Sequence, residues 1–556
     1  MESTIRTLIA DVLQAKFGIA DVAFSLERPK DLSHGDYATN VALIASKQLG
    51  KNPTEIATEL MQVLQSADSR IASVSVAAPG FINFELDRSV ILDILADVNK
   101  DSWGQTTVYE GKKILVEHSS PNLFKPFHIG HLMNNTVGES ITRLAKASGA
   151  DVSTMSFPSD VSLGVAKAVF ILLEKYGADF APEQVSILGD AYVEGTKRYE
   201  DDESVQTRVK EIADNLYAQT SSPEWSLYER CKEFNIAYFE TIVARLGSHF
   251  DSYIYESEAG VDGKKLVLAH TPKVFTESEG AIVYTPDESQ KLHTAVFINS
   301  KGNPTYEAKD LGLLELKFAK HNPDLSIFIT DAQQVSHFNV VLDAAMHINP
   351  LWKQHSLHRY HGRMSFKGQK MSSRLGGVPL AEDVLATVVE EVKEKNADIT
   401  PESAEMIGIA AIRLVILRAM PGKDINFDPE TSLSFEGDSG PYLQYTAVRA
   451  MSLVKKGEEA GIAPSMQKPI VGTEILERMI ARFPDIVIRC QTEWTPHYLV
   501  TYLMELAQAF NSYYGQQKII DDNTEASAYR LGITHALYRT MTKGLALLGS
   551  TVPEKM

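Results

Sequence analysis

Ile114-Leu115-Val116-Glu117-His118-Ser119-Ser120-Pro121-Asn122-Leu123-Phe124-Lys125-Pro126-Phe127-His128-Ile129-Gly130-His131 carries strand, loop and helix signals in close order. Ile114 to Val116 is a short apolar run, the pattern of a strand buried on both faces. A helical pattern follows from about Ile129 to Ala147, and Val152 to Phe157 is a second strand candidate. Strand, helix and strand at this spacing form a βαβ unit and predict a parallel sheet. In an open α/β sheet, ligands bind at the carboxyl ends of strands, which is where this loop lies. A helix N-terminus at that place offers free N–H groups and a positive dipole to phosphates. His128 and His131 are three apart and share a helix face. Their imidazoles can donate to a phosphate chain as it gains charge. Gly130 allows a flat base to approach the backbone, and Lys125 adds a positive charge. The plain alternative is a pair of surface or capping histidines. A zinc site on His118, His128 and His131 is a poorer reading. His118 sits in or beside a strand, and no carboxylate-supported zinc motif is present.

Further along, Leu325 to Thr330 is another apolar strand candidate followed by a helical pattern. Residues 185–260 are charged and helical, as an insertion between two halves of a sheet would be. Lys367-Gly368-Gln369-Lys370-Met371-Ser372-Ser373-Arg374-Leu375-Gly376-Gly377 is a basic loop flanked by glycines. Such a loop can fold over a triphosphate, with Lys370 neutralising charge and hydroxyls donating to oxygens. Its flexibility permits closure after the nucleotide enters. An exposed basic loop is the alternative, but the two segments together, in this order and each beside a strand, outweigh either alone.

The flanks have a different character. In residues 1–87, Ile5, Leu8, Ile9, Val12, Leu13 and Phe17 recur at helical spacing, and Asn52-Pro53-Thr54-Glu55 reads as a helix start. Strand signals surround a turn at Pro79-Gly80, so this part is predicted to be α+β. Residues 88–110 read as a link and 111–426 as the parallel-sheet domain with insertions. Residues 427–556 read as an all-α bundle, with long helices over Tyr442 to Val454, Tyr498 to Tyr514 and Arg530 to Leu548.

With 44% hydrophobic and 23% charged residues among 556, the chain has a globular composition with room for several cores. No repeat, signal peptide or membrane-length apolar stretch is visible. Cys231 and Cys490 are the two cysteines, which suits a reducing cytoplasm. A net charge of −18 argues against indiscriminate nucleic-acid binding. It is compatible with one large RNA held by local basic patches.

The pair His128-Ile129-Gly130-His131 and Lys370-Met371-Ser372-Ser373 resembles the two signatures of class I aminoacyl-tRNA synthetases. Their context, from Val116-Glu117-His118-Ser119-Ser120-Pro121-Asn122 to Lys125, is similar to the arginyl-tRNA synthetase family. So are Pro304-Thr305-Tyr306-Glu307-Ala308-Lys309-Asp310 and Gln333-Gln334-Val335-Ser336-His337-Phe338. The likeness extends to Phe435-Glu436-Gly437, to Gly440-Pro441-Tyr442-Leu443-Gln444-Tyr445 and to the closing Thr551-Val552-Pro553-Glu554-Lys555-Met556. His34-Gly35-Asp36-Tyr37-Ala38-Thr39-Asn40 and Pro79-Gly80-Phe81-Ile82-Asn83-Phe84 are similar to that family's N-terminal domain, a tRNA-contacting one.

The resemblance implies a Rossmann-like catalytic domain between that N-terminal α+β domain and an anticodon-binding bundle. It implies catalysis by His128, His131, Lys370 and Lys125. It also implies ATP contacts from Phe127, His128, Gly130, His131, Met364, Lys370, Met371, Ser372 and Ser373. Glu117, Ser119, Asn122, Tyr306, Asp310 and Gln334 would hold arginine, and Tyr442, Arg449 and Tyr514 would contact the anticodon loop. A guanidinium has five donors and no acceptor, so carboxylates suit its pocket. Either Asp310 or Glu117 could take that end, and the other the α-ammonium group. Tyrosines that stack bases, with an arginine beside them, suit single-stranded RNA. ATP with Mg²⁺, L-arginine and tRNA(Arg) are the implied substrates and partners. The implied reaction is arginyl-adenylate formation and transfer to the 2′-OH of tRNA, by a monomer and with activation dependent on tRNA. Met133 stands where relatives often have arginine, and Pro158-Ser159-Asp160-Val161-Ser162-Leu163-Gly164 replaces a common Gly-Asp-x-Gly-x-Gln pattern. The rival readings are another adenylyl-transferring enzyme on the same sheet and a non-catalytic tRNA-binding paralogue.

Overall fold

The computed structural model describes residues 1–29, 31–366, 379–396, 398–434 and 437–556. They form two compact units. One comprises residues 1–103, 449–484 and 505–540; the other comprises 104–448, 485–504 and 541–556.

The first unit holds a four-stranded antiparallel sheet in the order Leu26–Glu27, Tyr37–Thr39, Phe81–Leu86, Ile71–Ala77. Asn52 accepts from Thr54 N at 2.8 Å and Pro53 starts the helix Pro53–Leu64, as its sequence predicts. Ile5, Ile9 and Leu13 are the buried face of Glu2–Phe17. The stretch read as a link contains a helix, Arg88–Leu95, started by Asp87, which accepts from Ser89 N at 2.9 Å. An Asp-x-Ser start with apolar Val90, Ile91 and Leu95 at helical spacing is the signal for it.

The second unit is built on a five-stranded parallel sheet. Its strands are β1 (Lys113–Glu117), β2 (Asp151–Ser156), β3 (Ser252–Tyr253), β4 (Leu325–Asp331) and β5 (Ser356–His361), in the order β5-β4-β1-β2-β3. The chain lays down β1, β2 and β3 in one direction, then returns to the other side of β1. The strand order therefore reverses between β1 and β4, and a crevice opens at their carboxyl ends. In β1, Ile114 and Val116 share a core with Ile327, Ile329, Ile141 and Ala145, while Leu115 faces Met155, Ile254, Ala259 and Leu313. Alternation along a strand puts Glu117 on the Leu115 face.

Helix α1 (Ile129–Lys146) covers the first face, and α2 (Glu256–Ala269) and α3 (Tyr306–His321) lie on the second. A Cβ on Gly263 would lie 1.8 Å from Ala308 O, and one on Gly312 would lie 2.0 Å from Ala259 O. Only glycine at both points lets α2 and α3 touch backbone to backbone, and that contact sets where the first turns of α3 sit. Helix α4 (Val335–Ile348) follows β4 through the short turn Ala332–Gln334. The helices Val185–Asp201, Glu203–Tyr217 and Pro223–Arg245 fill most of the stretch read as an insertion, and its end supplies β3 and the start of α2. Beyond 427 the described chain is helical over Pro429–Ser432, Gly440–Glu459, Glu474–Ala481, Phe483–Glu493, His497–Gln516 and Thr524–Leu547.

Candidate active site

His128 is the N-cap of α1, in extended backbone geometry. Its Nδ1 accepts from Gly130 N at 3.1 Å, while His131 Nδ1 accepts from His128 N at 3.2 Å. The two rings stack with centroids 3.8 Å apart. Because Nδ1 is an acceptor in both rings, each imidazole is neutral with its proton on Nε2. Burial lowers the pKa of both, and the charge of Lys125 pushes the same way. The capping and the phosphate-binding readings of these histidines are thus one arrangement: Nδ1 caps the helix and Nε2–H is left as a donor. Gly130 makes room for it, since a Cβ there would meet His128 Cε1 at 3.0 Å.

The loop before the cap is pinned on both sides. Asn122 forms a parallel bridge with Ser159, and Ser159 N donates to Pro121 O at 2.9 Å. Phe124, at a positive φ of 62°, donates its N–H to buried Asn235 Oδ1 at 2.6 Å. Ser119, at φ 56°, is buried and donates its N–H to Asn134 Oδ1 at 2.6 Å. Asn134 Nδ2 in turn donates to Ile329 O at 2.7 Å and lies 3.5 Å from His361 Nε2. One side chain of α1 therefore ties together the ends of β1, β4 and β5. Asn134 is three residues beyond His131, and helical spacing alone would have placed it on the same face.

His118 does not join the other histidines in a metal site. Its ring is buried, its Nδ1 lies 2.9 Å from Ser119 Oγ, and burial pushes its pKa down to about 3. Among the described residues no three His, Cys, Asp or Glu side chains converge where a metal could sit. Lys125 does not reach into open space. Its Nζ lies 4.4 Å from the centre of the Tyr192 ring. Met133 is buried in the core with Phe127, Ile129, Leu132 and Phe239, so the residue where relatives often have arginine serves packing.

Pro158 to Gly164 serves as a clamp. Buried Asp160 accepts from Lys232 Nζ at 2.7 Å, Ser257 N at 2.9 Å, Ser257 Oγ at 2.8 Å and Tyr228 Oη at 3.0 Å. Ser162 caps the helix Leu163–Tyr176 by accepting from Val165 N at 3.2 Å.

The carboxylates expected to meet arginine are already paired. Glu117 Oε2 accepts from Lys317 Nζ at 2.7 Å, and both side chains are buried. Lys317, on α3, also sits 5.0 Å from the Phe328 ring centre. Glu117 thus has one oxygen engaged by a buried cation. Asp310 Oδ2 accepts from His337 Nε2 at 2.6 Å, and His337 Nδ1 lies 3.5 Å from Glu307 Oε1. Tyr306 and Asp310 are four apart on α3 and share a face, with Tyr306 67% exposed at the helix start. Gln334 is exposed at the N-cap of α4, three residues before His337. Burial raises the Asp310 pKa, with the Glu117 charge adding to it and His337 opposing it. Lys309 and Glu256 form a further buried pair beside Tyr306.

Lys370, Met371, Ser372 and Ser373 lie outside the described residues. The chain on either side of them is anchored. Met364–Phe366 pairs in parallel with Ile425–Phe427, and Met364 packs on the core that holds Phe127 and Ile129. On the other side, Ile129 N donates to Pro379 O at 3.0 Å, and Ala381 N donates to Phe127 O at 2.9 Å. The exit of the second signature is therefore joined by backbone bonds to the first.

In the bundle, Arg449 Nη1 donates to Asn511 Oδ1 at 2.7 Å and its guanidinium lies 5.4 Å from the Tyr514 ring centre. Tyr514 is exposed on one side and helps line a hollow of about 410 Å³ with Leu453, Lys518 and Ile519. Tyr442 belongs to the second unit, where it is half-buried.

A parallel sheet that reverses beside β1, with a helix at the switch point capped by two histidines, defines a class I aminoacyl-tRNA synthetase. Residues 91–428 match the family described as tRNA synthetases class I (R), catalytic domain. Residues 3–86 match the arginyl tRNA synthetase N terminal domain, and 443–556 the DALR anticodon binding domain. The chain is 25% identical to an arginine–tRNA ligase of Bacteroides fragilis, covering 100% of both chains. It is 28% identical to one of Shewanella pealeana, again over 100% of each. Among solved structures it is similar to the arginyl-tRNA synthetase of Thermus thermophilus, with a TM-score of 0.82 at 25% identity over 100% of both chains. The chain belongs to the class I (R) tRNA synthetases, the arginyl-tRNA synthetase family.

Proposed function

We propose that the crevice between β1 and β4 makes arginyl-adenylate from L-arginine and ATP, and that the chain passes the arginyl group to the 2′-OH of tRNA(Arg). A carboxylate oxygen of arginine forms a bond to the α-phosphorus while the bond to the β-phosphate oxygen breaks, and pyrophosphate leaves with the electron pair. The ribose hydroxyl then attacks the acyl carbon, and AMP leaves.

The observation that carries this reading is the reciprocal cap. It leaves His128 and His131 as two neutral Nε2–H donors, stacked and pre-oriented at a helix N-terminus. Donors fixed before the reaction stabilise phosphate charge without reorganising. Phe127, Gly130 and Met364 shape the nucleotide side, and Lys370 to Ser373 serve the phosphates with Lys125. Asp310 and Tyr306 take the guanidinium. Ser119, Asn122 and Gln334 take the other end of arginine, and Glu117 acts as a paired charge behind it. Mg²⁺ enters on the phosphates as part of the ATP substrate. Tyr514 and Arg449, with Tyr442, contact the anticodon loop. The enzyme works as a monomer in the cytoplasm.

A charging assay with each of the twenty amino acids and total tRNA tests the function. Arginine alone should be joined to tRNA; charging of a different amino acid would reject the substrate, and binding without charging would favour a silent paralogue. His128→Ala and His131→Ala should each lower kcat of arginine-dependent ATP–pyrophosphate exchange by about 100-fold or more. Exchange should also require tRNA, and full exchange without it would remove that part of the reading.

A further inference from the structure

His337 lies in none of the roles above, yet its ring bonds directly to Asp310. Glu307 and Asp310 are three apart on α3, so their carboxylates share a face and repel each other. The imidazole of His337, from the first turn of α4, reaches between them. Nε2 is 2.6 Å from Asp310 Oδ2 and Nδ1 is 3.5 Å from Glu307 Oε1. The ring is held edge-on by Phe338, with centroids 5.0 Å apart and planes at 85°. Phe338 itself packs on Phe328 and on His358 from β4 and β5. Among the described residues, the charges of Glu117 and Glu256 also act on Asp310.

A His–Asp pair in a crevice invites the reading of a proton relay. The geometry speaks against it, because both ring nitrogens face carboxylates and neither is left to take a proton from a substrate. Burial opposes the charged ring, but the bonds to Asp310 and Glu307 outweigh it and raise its pKa to about 9. The group therefore stands as a fixed cation between two acids at neutral pH.

We propose that His337 is the positioning residue for arginine selection: by holding Asp310 Oδ2, it sets that carboxylate to present its other oxygen to the guanidinium at one fixed reach. The inference rests on Asp310 being the guanidinium acceptor. A carboxylate free to rotate would accept donors over a range of distances. One clamped through a single oxygen accepts at one distance, measured from the site where the α-carboxyl must lie for attack on ATP. His337 thus acts through Asp310 on side-chain length.

The test compares arginine with homoarginine, which is one methylene longer. His337→Ala should raise the KM for arginine by about 10-fold or more while the KM for ATP stays within about twofold. Its preference for arginine over homoarginine, as a ratio of kcat/KM values, should fall by a similar factor. His337→Gln places an amide N–H near the position of Nε2 and should recover most of that preference. Asp310→Asn serves as the reference. Adding His337→Ala to Asp310→Asn should change little further. If Asp310→Asn leaves arginine KM unchanged, the assignment of Asp310 is wrong. If Asp310→Asn raises KM but His337→Ala alters neither KM nor the length preference, Asp310 stands and the role of His337 is refuted. A loss of activity that affects arginine and homoarginine equally, with a lowered melting temperature, also refutes it, since that is what a purely structural residue would show.

Discussion

The protonation state of two imidazoles decides how the signature histidines work. His128 and His131 accept backbone N–H groups through Nδ1, and a proton there would break both bonds. Their folded pKa values are lowered from 6.5, so they stay neutral as pH falls through that value. The cap is fully present above about 6.5 and is lost as pH falls through the folded values. Adenylate formation should therefore keep a constant kcat from pH 8 down through 6.5 and decline only at the lower pH where the folded imidazoles take up a proton. A kcat that declines already between pH 8 and 7 would contradict the neutral assignment.

Lys317 gives a second test. Lys317→Met leaves Glu117 buried without its cation and should cost about 3–5 kcal/mol in urea unfolding. The pair Lys317→Met with Glu117→Gln should recover most of that loss, because the uncompensated charge is removed along with its partner. Sequence reading reached Glu117 but not Lys317, which lies 200 positions away.

Helix starts and strand ends account for where the chemistry sits. The described chain that follows the second signature is tied to the first signature's loop by the bond from Ala381 N to Phe127 O. Ala381 is the first residue of the helix Ala381–Lys395, and Leu380 before it is extended. Proline is compatible with both positions, so Ala381→Pro removes the donor without breaking the helix. It should lower kcat for ATP–pyrophosphate exchange several-fold and leave the KM for arginine nearly unchanged. Circular dichroism should show the same helix content. Equal loss in both parameters would mean that the bond supports the whole crevice and not the nucleotide side. Most of these elements were legible beforehand. The buried run at Ile114, the periodic α1 and the strand at Leu325 all carry local signals. The helix Arg88–Leu95 was missed because it is short and was read by its position between domains.

Glu477 is a buried carboxylate of the first unit with four hydrogen-bond donors around it. Glu477 accepts from Arg88 Nε at 2.8 Å and Nη2 at 2.6 Å, from Thr473 Oγ1 at 2.6 Å and from Tyr529 Oη at 2.9 Å. Arg88→Ala should destabilise this unit by about 3 kcal/mol, read as an earlier unfolding step. No change in that step would show that Glu477 is satisfied by its hydroxyl partners alone. The N-terminal Asp36 is likewise structural. It is buried, accepts from Leu86 N at 2.8 Å and pairs with Arg478. Apart from Thr473, four residues before Glu477, these partners have no local signature, since Arg88 and Glu477 are 389 positions apart.

Class, reaction and order of elements followed from the linear chain, because periodicity, caps and short motifs depend on neighbours a few residues apart. Which charge meets which depended on packing. The sheet order brings β4 beside β1, and the glycine contact of α2 with α3 sets the depth of Asp310. Asn134 reaches across 195 positions to Ile329, and His337 crosses 27 to Asp310. A buried polar group needs a partner wherever the fold supplies one, and nothing in the local sequence says where that is.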